Sequence, residues 1–190
     1  MEVPFDEEIG MSNHLPPYTY CPVCGAALDR AAPFRQPCTR CDFIFYHSSS
    51  PCMGAIPLDG NRVLLARRGI EPYFGSWNVV GGFLDYGEDP VAGLLREVLE
   101  ETGCACRVLE FIVQTADTYG AQGAALINTY YSVQMLSGEL HPQDDVSDLR
   151  WFDLDALPED IPFESDRRAL KVLRAMIECR ARGGGLENLP

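Results

Sequence analysis

The sequence predicts an α/β protein in which a mixed sheet lies between two helices, as an α/β/α sandwich, preceded by a small cysteine-rich module. Two observations predict this fold class. Short strand-like runs alternate with two helical segments from residue 52 onward, without internal repeats. Two C-x2-C pairs stand ahead of the first of these runs. The 190 residues are enough for one well-packed domain and a small additional module.

The two cysteine pairs near the N-terminus have the spacing of a zinc site. They are Cys21 with Cys24 and Cys38 with Cys41, separated by 13 residues. Four thiolates at this spacing fill a tetrahedral Zn²⁺ shell and leave no position for water or substrate. We therefore expect a structural zinc ion that holds residues 18–47 as a zinc ribbon. A pair of disulfides or unligated thiols is the alternative.

His47 and the four cysteines outside the two pairs are not expected to bind metal or to act in catalysis. His47 is interpreted as a hydrogen-bonding or surface residue. The cysteines outside the two pairs are interpreted as buried residues, because no histidine context activates any of them as a nucleophile. They are Cys52, Cys104, Cys106 and Cys179.

Strand signals follow the ribbon in order. Runs at 52–58 and 62–68 flank Asp59-Gly60-Asn61, which is typical of a hairpin turn. A short apolar strand at 77–80 leads into the glycine pair Gly81-Gly82. Three further strands, rich in β-branched and aromatic residues, are predicted. They cover 107–115, 125–136 and 149–152.

Two segments are predicted to be helical. The first covers 90–102, because Asp89 can cap its N-terminus, Pro90 suits its first position and Gly103 suits its C-terminal stop. The second covers 165–182, where apolar residues recur at helical spacing and three glycines follow. In the first helix, four apolar residues are expected to face the core. They are Val91, Leu95, Val98 and Leu99.

One flank of the first helix crowds three carboxylates. Glu97, Glu100 and Glu101 fall within roughly 100° of arc around the helix axis. Like charges four residues apart destabilise an isolated helix by about 0.2–0.5 kcal/mol. A bound divalent cation would reverse this penalty, because it takes carboxylate oxygens as ligands. The alternative is a surface helix with a solvated acidic face.

Composition and charge narrow the classes of function. The formal net charge of −13 argues against a nucleic-acid partner, which would need clustered Lys and Arg. Anionic phosphates could approach the glutamates only with divalent cations between them. The sequence has no run of about 18 apolar residues and no secretory signal at its acidic N-terminus. We therefore expect a cytoplasmic protein without a membrane partner.

Residues 82–104, GFLDYGEDPVAGLLREVLEETGC, match a known family pattern. Their fixed positions read G-x5-E-x7-R-E-V-x-E-E-x-G-C. This string resembles the Nudix box; Cys104 alone departs from it, standing where the family has a bulky aliphatic residue. The resemblance implies a Nudix α/β/α fold. It also implies hydrolysis of a nucleoside diphosphate linked to another moiety, X, to a nucleoside monophosphate and phospho-X.

The resemblance also implies roles for individual residues. It implies that Mg²⁺ or Mn²⁺ is bound by Glu97, Glu100, Glu101 and the carbonyl of Gly81. Glu97 is expected to help deprotonate water, and Arg96 is expected to orient Glu97 through a charge-assisted hydrogen bond. Glu88 is expected to be an outer partner of the metal ligands or a structural residue.

Two further sets of residues are candidates for the site. Asp144 and Asp145 are candidates for an additional base or metal ligand, and the alternative is a polar surface turn. Four aromatic residues flank the proposed site and are candidates for stacking on a base or an isoalloxazine ring. They are Tyr73, Phe74, Phe83 and Tyr86. The alternative for these aromatics is packing in the core.

The substrate is indicated by segments outside the box. A zinc ribbon before a Nudix domain also resembles NADH pyrophosphatases, but residues 105–125 lack the S-Q-P-W-P-F-P-type signature of those enzymes. Residues 67–77 instead resemble the FAD and ADP-ribose pyrophosphatases. We therefore expect FAD or ADP-ribose as substrate. An NADH pyrophosphatase is one alternative, and a non-catalytic nucleotide-sensing module is another, although the intact box argues against a sensor.

The sequence predicts four segments. Residues 1–17 are interpreted as a flexible N-terminal segment, 18–47 as the zinc ribbon, 48–182 as the Nudix domain and 183–190 as a flexible tail. Met11 is an alternative start of translation. The sequence leaves open whether the protein is a homodimer and whether two chains complete one site.

Overall fold

A computed structural model describes residues 18–31, 34–120 and 123–182. These residues form two compact units. One unit contains residues up to Ser49 together with Thr118–Ala125, and the other contains Ser50–Asp117 together with residues from Leu126 onward. The predicted flexible segments 1–17 and 183–190, and the alternative start at Met11, lie outside the described residues.

The first unit contains a two-stranded antiparallel sheet. Its strands are β1 (Arg35–Pro37) and β2 (Ile44–Tyr46), with Gln36 opposite Phe45. His47 contacts the buried side chain of Gln36, at 2.7 Å between Nε2 and Oε1, which confirms its prediction as a hydrogen-bonding residue.

The second unit is built on a mixed sheet. Its strands are β3 (Ser50–Asp59), β4 (Arg62–Arg68), β5 (Trp77–Asn78), β6 (Val80–Phe83), β7 (Ala105–Tyr119), β8 (Ala124–Ser137) and β9 (Val146–Asp153), except that the last two residues of β7 and the first two of β8 belong to the first unit. Among the described residues these seven strands have the order β5-β4-β3-β8-β7, with β6 paired to β3 and β9 paired to β4. Strand β3 is parallel to β8 and antiparallel to β4 and β6.

The predicted strands are present, with two differences. The hairpin is confirmed, because Asp59 pairs with Arg62 and leaves Gly60-Asn61 as its turn. The single strand expected at 77–80 is instead two short strands separated by Val79, whose N–H donates to a carboxylate of the second helix. Strands β7, β8 and β9 extend beyond their predicted ends.

The described residues contain two helices, α1 (Pro90–Thr102) and α2 (Glu164–Ala181). The bounds predicted for α1 are confirmed. Asp89 Oδ1 accepts hydrogen bonds of 3.0 Å from the N–H groups of Val91 and Ala92, and Gly103 takes a left-handed conformation with φ 71°. Neither of these helices has the length and continuous apolar character needed to cross a bilayer.

The two helices cover opposite faces of the sheet. Neighbouring residues of β3 point to opposite sides, so Ile56 packs in one cluster with Leu173 of α2. Ala55 packs in a second cluster with Leu94 and Val98 of α1. The three layers confirm the predicted α/β/α arrangement.

The core-facing side of α1 differs from the prediction. Leu94 and Val98 are buried, whereas Val91 and Leu99 are exposed and Leu95 is half-buried. The prediction was wrong for Val91 and Leu99, because the acidic flank of the helix turns toward the sheet and those two residues rotate outward. The four cysteines beyond the ribbon were all predicted to be buried. Cys52 and Cys104 are buried, whereas Cys106 and Cys179 are only half-buried.

Candidate active site

Arg96 connects three carboxylates, one just before α1 and two within it. Its Nε and Nη2 atoms each donate to Glu88 at 2.8 Å, which makes a two-point pair. Its Nη1 atom donates to Glu97 at 2.8 Å and to Glu100 at 2.9 Å, and Nη2 also donates to the carbonyl of Phe83 at 3.2 Å. The hydrogen bond predicted from Arg96 to Glu97 is therefore present, and Glu88 is the anchor of the guanidinium.

Glu88 is held in its ionised form by these contacts. The hydrogen bonds from Arg96, together with that from the N–H of Asp85 at 2.9 Å, lower the pKa of Glu88 to about 2. The same pairing raises the pKa of Arg96 above its usual range. Both charges therefore persist at any pH near neutrality.

Glu101 is a buried carboxylate in the last turn of α1. Its Oε2 atom accepts a hydrogen bond of 2.9 Å from the N–H of Gly81. Burial raises the pKa of Glu101 well above its usual range, and the negative charges of Asp145 and Glu97 raise it further. An ionised Glu101 therefore needs a positive charge nearby.

Glu97 is half-buried beside the glycine pair. Burial raises the pKa of Glu97, and this effect exceeds the opposing effect of the Arg96 guanidinium. A Cβ atom on Gly82 would lie 2.8 Å from Oε2 of Glu97, so the carboxylate can occupy this position only against a glycine. The second glycine of the pair thus makes room for Glu97.

Gly81 is required for a different reason. Its φ of 138° is a conformation that side chains rarely adopt, and a Cβ atom would overlap the carbonyl oxygen of Met53 on the neighbouring strand. Gly81 pairs with Gly54 of β3, so neither strand has a side chain at this position of the sheet.

The loop that precedes β9 lies against the end of α1. The N–H of Gln143 donates to the carbonyl of Glu101 at 3.1 Å, and the N–H of His141 donates to that of Thr102 at 3.0 Å. The negative charge of Asp145 raises the pKa of both Glu97 and Glu101. The structure thus brings Asp145 to the glutamates, while its role as base or ligand stays a prediction, as does that of Asp144.

The four candidate aromatics lie on the surface. Tyr73, Phe74, Phe83 and Tyr86 are all exposed, so the alternative of core packing is wrong for them. Tyr73 contacts the ring of Phe163 edge-on, with 5.3 Å between ring centroids. Stacking on a substrate stays a prediction for these residues.

The glutamates of α1 supply the ligand atoms that Mg²⁺ and Mn²⁺ prefer. Among the described residues, the one group of three or more candidate metal ligands that lie close together is the four ribbon cysteines, whose sulfur atoms are all within 4.8 Å of one another. Glu97 and Glu100 are held by Arg96, whereas Glu101 is held by the N–H of Gly81. A cation between them would offset the free-energy cost of ionising Glu97 and Glu101, so the donor set fits a divalent metal.

The four ribbon cysteines fit a tetrahedral zinc ion. The Sγ atoms of Cys21 and Cys41 are 3.8 Å apart, and those of Cys24 and Cys38 are 3.5 Å apart. Four sulfur atoms about 2.3 Å from a tetrahedral zinc would be about 3.8 Å apart. A disulfide would need about 2.05 Å between sulfurs, so the alternative of two disulfides does not describe this geometry.

A buried network on the α2 side of the sheet was missed by the sequence analysis. Asp166 is buried, and it accepts hydrogen bonds from the N–H of Val79 at 2.9 Å and the hydroxyl of Tyr130 at 2.7 Å. Burial raises the pKa of Asp166 to about 6. An acidic residue in the first turn of a helix is the only sequence signal here, and that signal normally indicates an exposed position.

Gly93, inside α1, was also missed. A Cβ atom at this position would overlap Cδ2 of Leu84 and lie 2.8 Å from Oε2 of Glu88. The absence of a side chain at Gly93 therefore lets Glu88 approach the helix closely enough to pair with Arg96.

Comparison with solved structures identifies the fold. The chain resembles the crystal structure of a NUDIX hydrolase from Nitrosomonas europaea with a TM-score of 0.70 and 26% identity. The match covers 88% of this chain and 94% of that one. A MutT NUDIX hydrolase from Burkholderia pseudomallei gives a TM-score of 0.61 at 27% identity, covering 66% of this chain and 98% of that one.

Sequence comparison gives the same family. The NAD-capped RNA hydrolase NudC of Pseudomonas aeruginosa is 31% identical over 178 residues, which are 90% of this chain but only 59% of that relative's length. The ADP-ribose pyrophosphatase of Methanocaldococcus jannaschii is 28% identical over 116 residues, covering 61% of this chain and 68% of that one. A family model described as the NUDIX domain matches residues 49–173. The chain therefore belongs to the Nudix hydrolase family.

Proposed function

We propose that the protein hydrolyses the pyrophosphate bond of a nucleoside diphosphate linked to another moiety, with Mg²⁺ or Mn²⁺ as the catalytic cation. The observation that carries this proposal is the pair of inward-facing carboxylates, Glu97 and Glu101, beside Gly81 and Gly82. Their burial, in a chain of net charge −13, leaves a negative site that a phosphate cannot approach alone. A divalent cation makes the site and the substrate compatible.

The side chains divide the work. Glu97, Glu100, Glu101 and the carbonyl of Gly81 would hold the cation. A bound divalent cation supplies charge neutralisation at the phosphates and a more acidic water. Glu97 takes the proton from the attacking water, because an ionised carboxylate held in a fixed position can act as a general base. Arg96 keeps the carboxylate of Glu97 in a fixed position through its hydrogen bond of 2.8 Å.

The favoured substrates are ADP-ribose and FAD. Residues 67–77 support this choice, and the exposed Tyr73, Phe74, Phe83 and Tyr86 offer rings for stacking. One relative is named an ADP-ribose pyrophosphatase and another a NAD-capped RNA hydrolase. Adenosine diphosphate linked to ribose is common to ADP-ribose and NAD, so both names support a substrate with that group.

An NADH pyrophosphatase is the second candidate. The NudC relatives favour it, because NAD is named in their substrate and one of them matches 90% of this chain. The chain spans about 59% of the length of that relative. The NADH-type signature is also missing after the box.

A turnover panel distinguishes these possibilities. Purified protein is assayed with Mg²⁺ or Mn²⁺ against ADP-ribose, FAD, NADH, a NAD-capped RNA oligonucleotide and nucleoside triphosphates. We expect the largest kcat/KM for ADP-ribose or FAD, because that ratio measures discrimination between substrates. NADH as the best substrate would overturn the substrate choice. Nucleotide binding without any cation-dependent hydrolysis would overturn the enzyme and favour a sensing module.

A further inference from the structure

We propose that Asp166 of α2 is a positioning residue, which holds the glycine pair in the geometry needed for cation binding on the opposite face of the sheet. The inference rests on the proposed function, because it concerns the proposed ligand Gly81. It is carried by a continuous set of buried contacts from α2 to Gly81.

The first contact is at the strand break. Pairing of β5 with β4 ends at Asn78, and pairing of β6 with β3 begins at Val80. Val79 lies between them, and its N–H donates to Oδ2 of Asp166 at 2.9 Å. The backbone two residues before Gly81 is therefore held by a side chain of α2.

The second contact runs through Tyr130 of β8. Its hydroxyl donates to Oδ1 of Asp166 at 2.7 Å. Its ring lies directly over Gly54, where a Cβ atom would overlap the ring carbons. Gly54 pairs with Tyr130 on one side and with Gly81 on the other. Both hydrogen bonds of Asp166 therefore restrain the backbone around the paired residues Gly54 and Gly81.

The third contact comes from the opposite face. Glu101 of α1 accepts the N–H of Gly81 at 2.9 Å, so carboxylates from two helices on opposite faces hold residues two apart in one short segment. Gly81 has no side chain to pack and has a φ of 138°, so its own sequence does little to fix this backbone. The two carboxylates supply that restraint.

The consequence concerns the carbonyl of Gly81 and the carboxylate of Glu101. If Val79 loses its acceptor, the backbone at Gly81 can shift, and the hydrogen bond that aligns Glu101 shifts with it. A displacement of about 1 Å at a catalytic site lowers rates by about 10²-fold. Asp166 would thus act on catalysis without touching the substrate.

Two substitutions at Asp166 separate positioning from charge. Asp166→Ala removes the acceptor of the Val79 N–H. Asp166→Asn keeps it, because the amide oxygen accepts from Val79 while the amide NH₂ donates to the Tyr130 oxygen. We expect Asp166→Ala to lower kcat by about 10-fold or more and to weaken Mn²⁺ binding by a similar factor. We expect Asp166→Asn to restore both to within about threefold of the wild type.

The matched control is Leu173→Ala, which removes buried volume from the same helix without touching Asp166. Mn²⁺ dissociation constants are measured by electron paramagnetic resonance. Values of kcat and KM are measured by steady-state kinetics at saturating Mn²⁺. Both measurements are made below the melting temperature of every variant. The inference predicts wild-type Mn²⁺ affinity for Leu173→Ala. Equal losses in Asp166→Ala and Leu173→Ala would show a general stability effect and overturn the positioning role. Wild-type values in Asp166→Ala would also overturn it.

A second variant covers the case in which Asp166→Ala does not fold. The double variant Asp166→Leu with Tyr130→Phe replaces the Asp166–Tyr130 pair by apolar groups of similar shape, so the tyrosine hydroxyl is not left buried without a partner as it is in Asp166→Ala. Val79 still loses its acceptor, so the same loss of Mn²⁺ affinity is expected, and unchanged affinity would overturn the inference. Failure of the proposed function is distinct, because the wild type itself would then show no cation-dependent turnover.

Discussion

Arg96 and Glu88 form two hydrogen bonds of 2.8 Å each, from Nε and Nη2 of the guanidinium to the two oxygens of the carboxylate. Glu88 lies just before α1 and Arg96 lies inside it, so the pair ties the segment after the glycine pair to the helix. With that edge of the guanidinium fixed, Nη1 points to Glu97 and Glu100. The pair therefore sets where the candidate base lies.

Arg96→Lys should lower kcat by about 10-fold to 100-fold, which is the usual effect of losing a residue that orients a metal ligand. Lysine keeps the positive charge but cannot donate in two parallel directions while also reaching Glu97. Steady-state kinetics with the favoured substrate measures the effect. Arg180→Lys is the control, because Arg180 makes a comparable two-point pair with Glu110 on the surface. Equal effects of the two substitutions would contradict a special role for Arg96.

Glu97→Gln should lower kcat by about 10²-fold or more, the scale expected for losing a positioned base or metal ligand. The amide keeps the size of the side chain but cannot take a proton from water. Rates are measured at saturating Mg²⁺, so that weaker cation binding does not limit them. Glu178→Gln, at an exposed site on α2, should leave kcat unchanged. Near wild-type turnover in Glu97→Gln would remove the assignment.

Cys24→Ser should reduce both the zinc content and the melting temperature. The ribbon has too small a core to fold alone, so metal binding should supply most of its folding free energy. Metal analysis of purified protein and thermal unfolding measure the two effects. Folded Cys24→Ser protein should keep its dependence on Mg²⁺, because a four-thiolate site has no open position for catalysis. Cys106→Ser, outside the cluster, should keep its zinc. Fully folded, zinc-free wild-type protein would contradict the structural role.

Asp166→Asn should change how stability depends on pH. Burial raises the pKa of Asp166 from 3.8 to about 6, so between these values the unfolded chain has released the proton and the folded chain keeps it. The unfolded state then binds fewer protons, and this residue lowers the unfolding free energy as pH rises from about 4 to 6, by about 3 kcal/mol in total. Asparagine does not titrate.

Urea unfolding at pH 4, 5, 6 and 7 measures this effect as a difference between the two proteins. The stability of Asp166→Asn relative to the wild type should rise with pH up to about 6 and stay level above it, because contributions of other groups cancel. A difference that is constant from pH 4 to 7 would show that Asp166 does not keep its proton in the folded state.

Features determined by residues close together in the sequence, such as helix caps and the hairpin turn, were predictable. The bounds of α1 followed from Asp89, Pro90 and Gly103, because caps act within one turn of the residue that makes them. The hairpin at Gly60-Asn61 followed in the same way from its turn residues. The hydrogen bond from Arg96 to Glu97 was expected from the resemblance to the Nudix box, because helix geometry alone does not turn neighbouring side chains toward each other.

Features set by distant contacts were not predictable. The break at Val79 depends on Asp166, which is 87 residues away in sequence. The predicted orientation of α1 was wrong. Hydrophobic residues of a helix normally face the core, whereas here Glu101 is buried and Leu99 is exposed. The proposed cation site would account for this reversal, because it needs carboxylates that face inward.

Gly93 limits how this protein can be made more heat-resistant by engineering. Replacing a mid-helix glycine with alanine is a standard route to stability, worth roughly 0.5–1 kcal/mol in an unconstrained helix. In α1 that extra methyl group would occupy the space of Leu84 and of the Glu88 carboxylate. The more regular helix would therefore push away the anchor of Arg96. Thermostable designs of this chain should take their substitutions from surfaces remote from Gly93 and leave this helix untouched.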